Sequence, residues 1–320
     1  MHQRREIPGD LRGTVAHGVL TAADLEALAI TGSVRRRLVR TGELTRLEDG
    51  VYVVGRPTGD WLQRCAVRLA KSGRNSMISR GSAARLWGLD GYTVRASDPA
   101  VTTPIAVNIG TDDGRRGRHV FRVAATDPVA LADGLRITGI NQTLMELGAG
   151  LTPAPSPGGH ILQPIDQVEL ALESALHLRY TTIERLEGQL AEVARNRAGA
   201  TVLRAAIARR PADAPATESW LETRAVQVLR NAGITEVERQ VTVRNATGAF
   251  IGRVDFMIGR VVIECDGREY HDDFEKDRER WADLHAMAYL VLPVTFQKIE
   301  FETSTFLRAF RALERRARNV

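Results

Sequence analysis

Apolar and polar positions alternate most regularly near the end of the chain. Val254, Phe256 and Ile258 are spaced two apart, as are Val261, Ile263 and Cys265, and Gly259-Arg260 separates the two runs. A period of two predicts half-buried strands. Gly followed by any residue is a favoured two-residue turn, because glycine readily takes the positive φ needed at its first central position. The segment is therefore expected to be a hairpin in which Ile258 faces Val261, Asp255 faces Glu264 and Arg253 faces Asp266. Strand side chains alternate between faces, so one face should carry the six apolar residues. The other should carry Asp255, Met257, Val262, Glu264 and Asp266.

The surrounding pattern extends this hairpin into a unit. Helical spacing is expected over 217–231, ending at Ala232-Gly233, then a strand over 237–244 and the hairpin. A helix over about 274–287, a strand over 289–292 and a helix over 304–318 follow. The order is α-β-β-β-α-β-α. Upstream, Thr21 with Asp24 three residues on marks a helix start. A second helix over 34–40 carries Arg36, Arg37 and Arg40 and stops at Thr41-Gly42. Short strands at 44–47 and 51–54 follow. Two helices and a hairpin make the order of a winged helix-turn-helix, whose second helix enters the major groove. Arg36 and Arg40, one turn apart, share a face of that helix.

A multidomain α+β or α/β protein is expected. Its parts are a winged helix-turn-helix at 10–60, a small mixed module at 61–148, a Pro- and Gly-rich linker at 149–160, a helical connector at 161–212 and the last unit at 213–320.

Composition narrows the class. With 320 residues, 43% of them hydrophobic, the chain can fill real cores. It has no apolar run of membrane-spanning length and no apolar leader, so a cytoplasmic protein without membrane contact is expected. Cys65 and Cys265 are far apart and outside any zinc-ligand spacing. The net charge of +5 comes almost wholly from arginine, since the only lysines are Lys71, Lys276 and Lys298. Guanidinium groups suit bidentate phosphate contacts.

The chemistry lies on the polar face of the hairpin. Two carboxylates about 5 Å apart repel by roughly 3 kcal/mol at an effective dielectric near 20. A bound divalent cation would turn that repulsion into ligation, and Mg²⁺ favours oxygen donors from one or two carboxylates. Asp255, Glu264 and Asp266 are thus candidate ligands for Mg²⁺ or Mn²⁺.

The words Glu218-Ser219-Trp220-Leu221-Glu222, Arg253-Val254-Asp255-Phe256, Glu264-Cys265-Asp266-Gly267-Arg268-Glu269-Tyr270-His271 and Lys276-Asp277-Arg278-Glu279-Arg280 occur in this order. Through them, about residues 213–310 resemble the PD-(D/E)XK nuclease superfamily, with its αβββαβ core, and within it a Vsr-related domain of unassigned function. Residues 10–148 resemble, through Gly50-Val51-Tyr52 and Ser82-Ala83-Ala84-Arg85-Leu86-Trp87-Gly88-Leu89, the winged helix and following domain of AbiEi-type antitoxins or regulators. The resemblance implies Asp255 and Glu264 as metal ligands and Glu222 as the helix-one glutamate. Asp266 occupies the superfamily's lysine position, which leaves His271 as candidate acid or base and Lys276 as a replacement cation. The implied function is a Mg²⁺-dependent DNA endonuclease acting in repair or defence on duplex DNA. The alternative is an antitoxin-type transcriptional regulator with an inactive nuclease fold. Homodimer formation and a toxin partner stay open.

Overall fold

The computed structural model describes residues 16–72, 76–92, 107–109, 130–132, 134–192, 199–211, 213–266 and 274–318. The protein is mixed α/β, and its chain separates into two compact units. One holds residues 1–88 and 94–146; the other holds 89–93 and 147–320. Among the described residues, no helix is long and apolar enough to cross a membrane.

The first unit opens with β1 (Val19–Thr21), α1 (Ala22–Ala27), α2 (Gly32–Thr41), β2 (Leu44–Glu48) and β3 (Val51–Val54). Thr21 and Asp24 cap α1 reciprocally. The Asp24 backbone N–H donates to the Thr21 hydroxyl at 3.1 Å, and the Thr21 N–H donates to the Asp24 carboxylate at 2.8 Å. Gly42, at φ 78°, ends α2 in the left-handed region that a helix C-terminus favours. The three strands form an antiparallel sheet in the order β1-β3-β2, packed on α1 and α2 through Leu20, Leu25, Leu38 and Leu44.

Next come α3 (Trp61–Ser72), β4 (Ser76–Ile78), α4 (Arg80–Leu86), β5 (Val107–Ile109), β6 (Ala130–Ala132), β7 (Leu135–Ile137) and α5 (Ile140–Gly150). The second sheet runs β5-β4-β7-β6. Cys65, Leu69, Ile78 and Ile137 pack in one cluster with Val19, Val51 and Val53 of the first sheet. The segments expected as separate modules at 10–60 and 61–148 therefore share a core.

The second unit contains β8 (Ala154–Pro155), β9 (Ile161–Leu162), α6 (Pro164–His177), α7 (Ile183–Glu192), α8 (Ala200–Ala208) and α9 (Trp220–Asn231). They are followed by β10 (Glu238–Arg244), β11 (Phe250–Ile258), β12 (Val261–Asp266), α10 (Phe274–Ala286), β13 (Leu290–Thr295), α11 (Phe296–Glu300) and α12 (Thr303–Ala317). A four-stranded sheet runs β10-β11-β12-β13, antiparallel except for the parallel β12–β13 pair. Pro293 lies in β13, at the sheet edge where a residue without an N–H is tolerated. α9, α11 and α12 cover one face through Leu221, Ala225, Phe256, Ile263, Phe306 and Phe310. Trp281 and Leu284 of α10 cover the other, against Val243, Val254, Met257 and Val262.

The expected register is present next to the turn, with Ile258↔Val261, Met257↔Val262 and Phe256↔Ile263, and Gly259 takes φ 57°. The β11–β12 ladder does not extend to the expected Asp255–Glu264 and Arg253–Asp266 pairs. The expected face pattern differs at Val254. Val254 packs on the α10 side, away from Phe256. The cause lies on the neighbouring strand. Gln240, opposite Asp255 in the β10–β11 ladder, has φ 53°, and on both strands the faces exchange across this position. A non-glycine residue in that region is a local strain that its surroundings must hold.

The stretches expected as linker and connector are tied to the α/β core. Glu169 of α6 receives two hydrogen bonds from Arg230, at 2.8 and 2.6 Å. Glu173 receives Arg239 at 2.7 Å and also pairs with Arg210. Glu300 receives Arg224 at 2.9 Å, the Gly158 N–H at 3.0 Å and the Ser156 hydroxyl. All three glutamates are buried. Charges taken out of water persist only with close partners of opposite sign, so residues 147–320 form one unit.

Candidate active site

α9 begins at Ser219, whose hydroxyl accepts the Glu222 N–H at 3.2 Å and donates to the Glu222 carboxylate at 3.0 Å. This cap turns Glu222 back over the helix start, where the Glu218 N–H also donates to it at 2.9 Å. From the sheet, the Gln240 amide donates to Glu222 at 2.9 Å. The other amide atom of Gln240, Oε1, is buried without a hydrogen-bond partner among the described residues. Burial, with Asp255 nearby adding repulsion, raises the Glu222 pKa to about 7 despite these donors.

Asp255 reaches across the hairpin and accepts the Cys265 N–H at 2.7 Å. Burial raises its pKa, opposed by that N–H and by the Arg280 guanidinium. Glu264 on β12 is buried and lies 3.2 Å from Arg280. Arg280 projects from α10 across β11, where it also donates to the Arg253 carbonyl at 3.1 Å. Its path requires Gly252, since a Cβ there would stand 2.8 Å from the Arg280 Cδ. Arg253 itself pairs with Glu218 at 2.6 Å.

Of the expected acids, Asp255 and Glu264 both lie near the Arg280 guanidinium, and Glu222 of α9 stands beside Asp255. The Asp266 backbone ends β12 opposite Thr295 of β13, and its side chain lies outside the described residues. His271 also lies outside them. Lys276 is in the first turns of α10, and its side chain is likewise undescribed. Among the described residues no group of three His, Cys, Asp or Glu side chains is arranged to hold a metal ion. The donor chemistry nevertheless suits one. The oxygens are hard, and burial raises the pKa of both Glu222 and Asp255, a cost that a divalent ion would offset.

Gln240 and Arg280 belong to this neighbourhood but were not among the expected site residues. Arg280 lies four residues after Lys276, one helical turn on, so helix spacing contained a signal for it. Gln240 is visible only once β10 is in register with β11.

In the first unit, Arg36 and Arg40 are exposed on α2 and Arg37 is half-buried. Arg35, one residue earlier, stacks on Tyr52 of β3 with its guanidinium 5.5 Å from the ring centroid. That contact fixes the helix against the hairpin and leaves its neighbours outward.

Compared with known proteins, the chain matches no family model, and no curated protein matches it.

Proposed function

We propose that the protein binds duplex DNA and hydrolyses its phosphodiester bonds through a Mg²⁺- or Mn²⁺-dependent endonuclease-like domain within residues 213–320. In this reading that domain is a Vsr-related PD-(D/E)XK fold and residues 10–60 are a winged helix-turn-helix. The observation that carries the reading is the position of Asp255 and Glu264 on adjacent strands beside Arg280, with Glu222 of α9 next to Asp255. The order α9-β10-β11-β12-α10-β13, with β12 and β13 parallel, supports the same fold.

Asp255 and Glu264 would hold the cation, with Asp266 beside them. The bound ion would lower the pKa of a water and polarise the phosphate. Glu222, poised near neutrality, is suited to take a proton from an attacking water. Arg280 would contact phosphate oxygens, a role for which its planar donor fork is suited; Lys276 and His271 are further candidates for phosphate contact and proton transfer. Arg36, Arg37 and Arg40 would hold the duplex from α2.

A second reading, a DNA-binding regulator of antitoxin type whose nuclease fold does not cut, is favoured by one observation. Arg280 already supplies the counter-charge to Glu264. Incubating the full chain with duplex, mismatched and single-stranded DNA, with and without Mg²⁺ or Mn²⁺, separates the two. The endonuclease reading expects metal-dependent products that vanish in Asp255→Asn, a variant that keeps an oxygen for the Cys265 N–H. Binding without cleavage on every substrate, by protein of intact fold, would leave the regulator.

A further inference from the structure

Several arginines of the second unit are drawn to acids. Arg210, Arg224, Arg230, Arg239, Arg253 and Arg280 each lie within ion-pair reach of a glutamate. α12 is different. It carries Arg308, Arg311, Arg315 and Arg316, with Arg318 at its C-cap, all exposed; among the described residues only Arg318 of these has an acidic partner, Glu314 at 2.7 Å. Arg308 donates to the Thr305 hydroxyl at 3.0 Å and Arg311 to the Ala232 carbonyl at 3.4 Å, both neutral acceptors. Arg308, Arg311, Arg315 and Arg318 follow i, i+3, i+7, i+10 spacing. At 100° per residue they fall within about 80° of arc, along roughly 15 Å of helix.

We infer that this stripe is a second DNA-contacting surface, seated on the phosphate backbone of a duplex. The inference rests on the proposed DNA substrate and adds a contact surface in the unit that holds the acids. One strand of B-DNA presents a phosphate about every 3.4 Å along the axis, so the roughly 10 Å from Arg308 to Arg315 spans about three phosphates for the three arginines of the stripe without a carboxylate partner. An anionic membrane fits less well. A helix lying on a bilayer inserts its apolar face, whereas Phe306 and Phe310 of α12 are 1% and 0% exposed within the core. Guanidinium groups left without carboxylates keep their donors for phosphate oxygens.

The test is binding of a fluorescent duplex of 20–30 base pairs by the full chain, in EDTA, across 50–200 mM salt. The triple variant Arg308→Ala/Arg311→Ala/Arg315→Ala should keep its helix, since the positions are exposed and alanine favours helix. It should bind about tenfold or more weakly at 0.1 M salt, and its log–log salt slope should flatten by about 2.7. The matching triple lysine variant, which keeps the charge, should keep the slope. Unchanged affinity and slope in the alanine variant would overturn the inference, while wild-type binding and metal-dependent cleavage would still stand. A wild-type chain that binds no duplex would remove the surface and the DNA reading together. Loss confined to vesicles containing phosphatidylserine, with duplex binding intact, would also overturn the surface in favour of a membrane.

Discussion

Glu222 shows how burial and function meet in one side chain. Its pKa, raised from 4.5 to about 7, lies above the unfolded value, so the folded state holds the proton more tightly. The sign follows directly: the Glu222 contribution to stability is full below pH 4.5, falls through the window from 4.5 to 7, and is lost above it. The full shift corresponds to about 3 kcal/mol, and Asp255, also raised, adds in the same direction. Glu222→Gln retains an oxygen for the Glu218 N–H and Gln240, can donate its amide N–H to the Ser219 hydroxyl, and cannot ionise. The variant is expected to gain melting temperature relative to wild type between pH 5 and 7.5; parallel wild-type and variant profiles would place the titration elsewhere. Arg280 gives the complementary case. Arg280→Ala leaves Glu264, whose side chain is 7% exposed, without its nearest guanidinium. A loss of about 2 kcal/mol is expected in urea unfolding, below the 3–5 typical of fully buried pairs because Arg280 is itself 27% exposed. A change of only a few tenths would mark the pair as a surface ornament of the fold.

At the scale of elements, the hairpin register could be read in advance because it depends on local facts. These are a Gly-X turn and runs of period two, and a slip of one residue would have turned every side chain over. The face of Val254 could not, because it depends on Gln240, a residue distant in sequence whose positive φ no pattern announces. That Asp255 and Glu264 lie on adjacent strands was readable for the same local reason, whereas Arg280 reaches Glu264 only when α10 lies across β11 and Gly252 leaves it room. α2 offers its own test. Its Arg36 and Arg40 are exposed and its seating rests on Leu38 and the Arg35–Tyr52 contact, so Arg36→Ala/Arg40→Ala should leave the fold intact. If α2 lies on DNA, the salt slope of duplex binding should flatten by about 1.8. An identical slope in the double variant would move recognition off this helix.

For the whole molecule, sequence spacing placed boundaries where composition changes, at 149, 161 and 213, but charge pairing crosses the last, and the hydrogen bonds of Glu300 to Ser156 and Gly158 cross the last two. Glu169 and Glu173 stand on α6, while Arg230 and Arg239 stand on α9 and β10. Hydrophobic periodicity carries no information about such pairs, which is why α6 read as a connector. A fragment of residues 213–320 would expose both arginines without their glutamates and Glu300 without Ser156 and Gly158. It should therefore be degraded quickly in limited proteolysis, while residues 147–320 resist. Equal resistance of the two fragments would mean that the pairs contribute little to the fold.

The short hairpin β8–β9 has a consequence for synthesis. Ser156 and Glu300 are 144 residues apart in the chain, and Gly158 sits so close to the Glu300 backbone that no other side chain would fit. A ribosome adding 5–20 residues per second exposes this hairpin on the order of ten seconds before its acceptor exists. Arg209, Arg210, Arg230 and Arg239 reach Glu169 and Glu173 well before then, so of the three buried glutamate sites the one at Glu300 must close last.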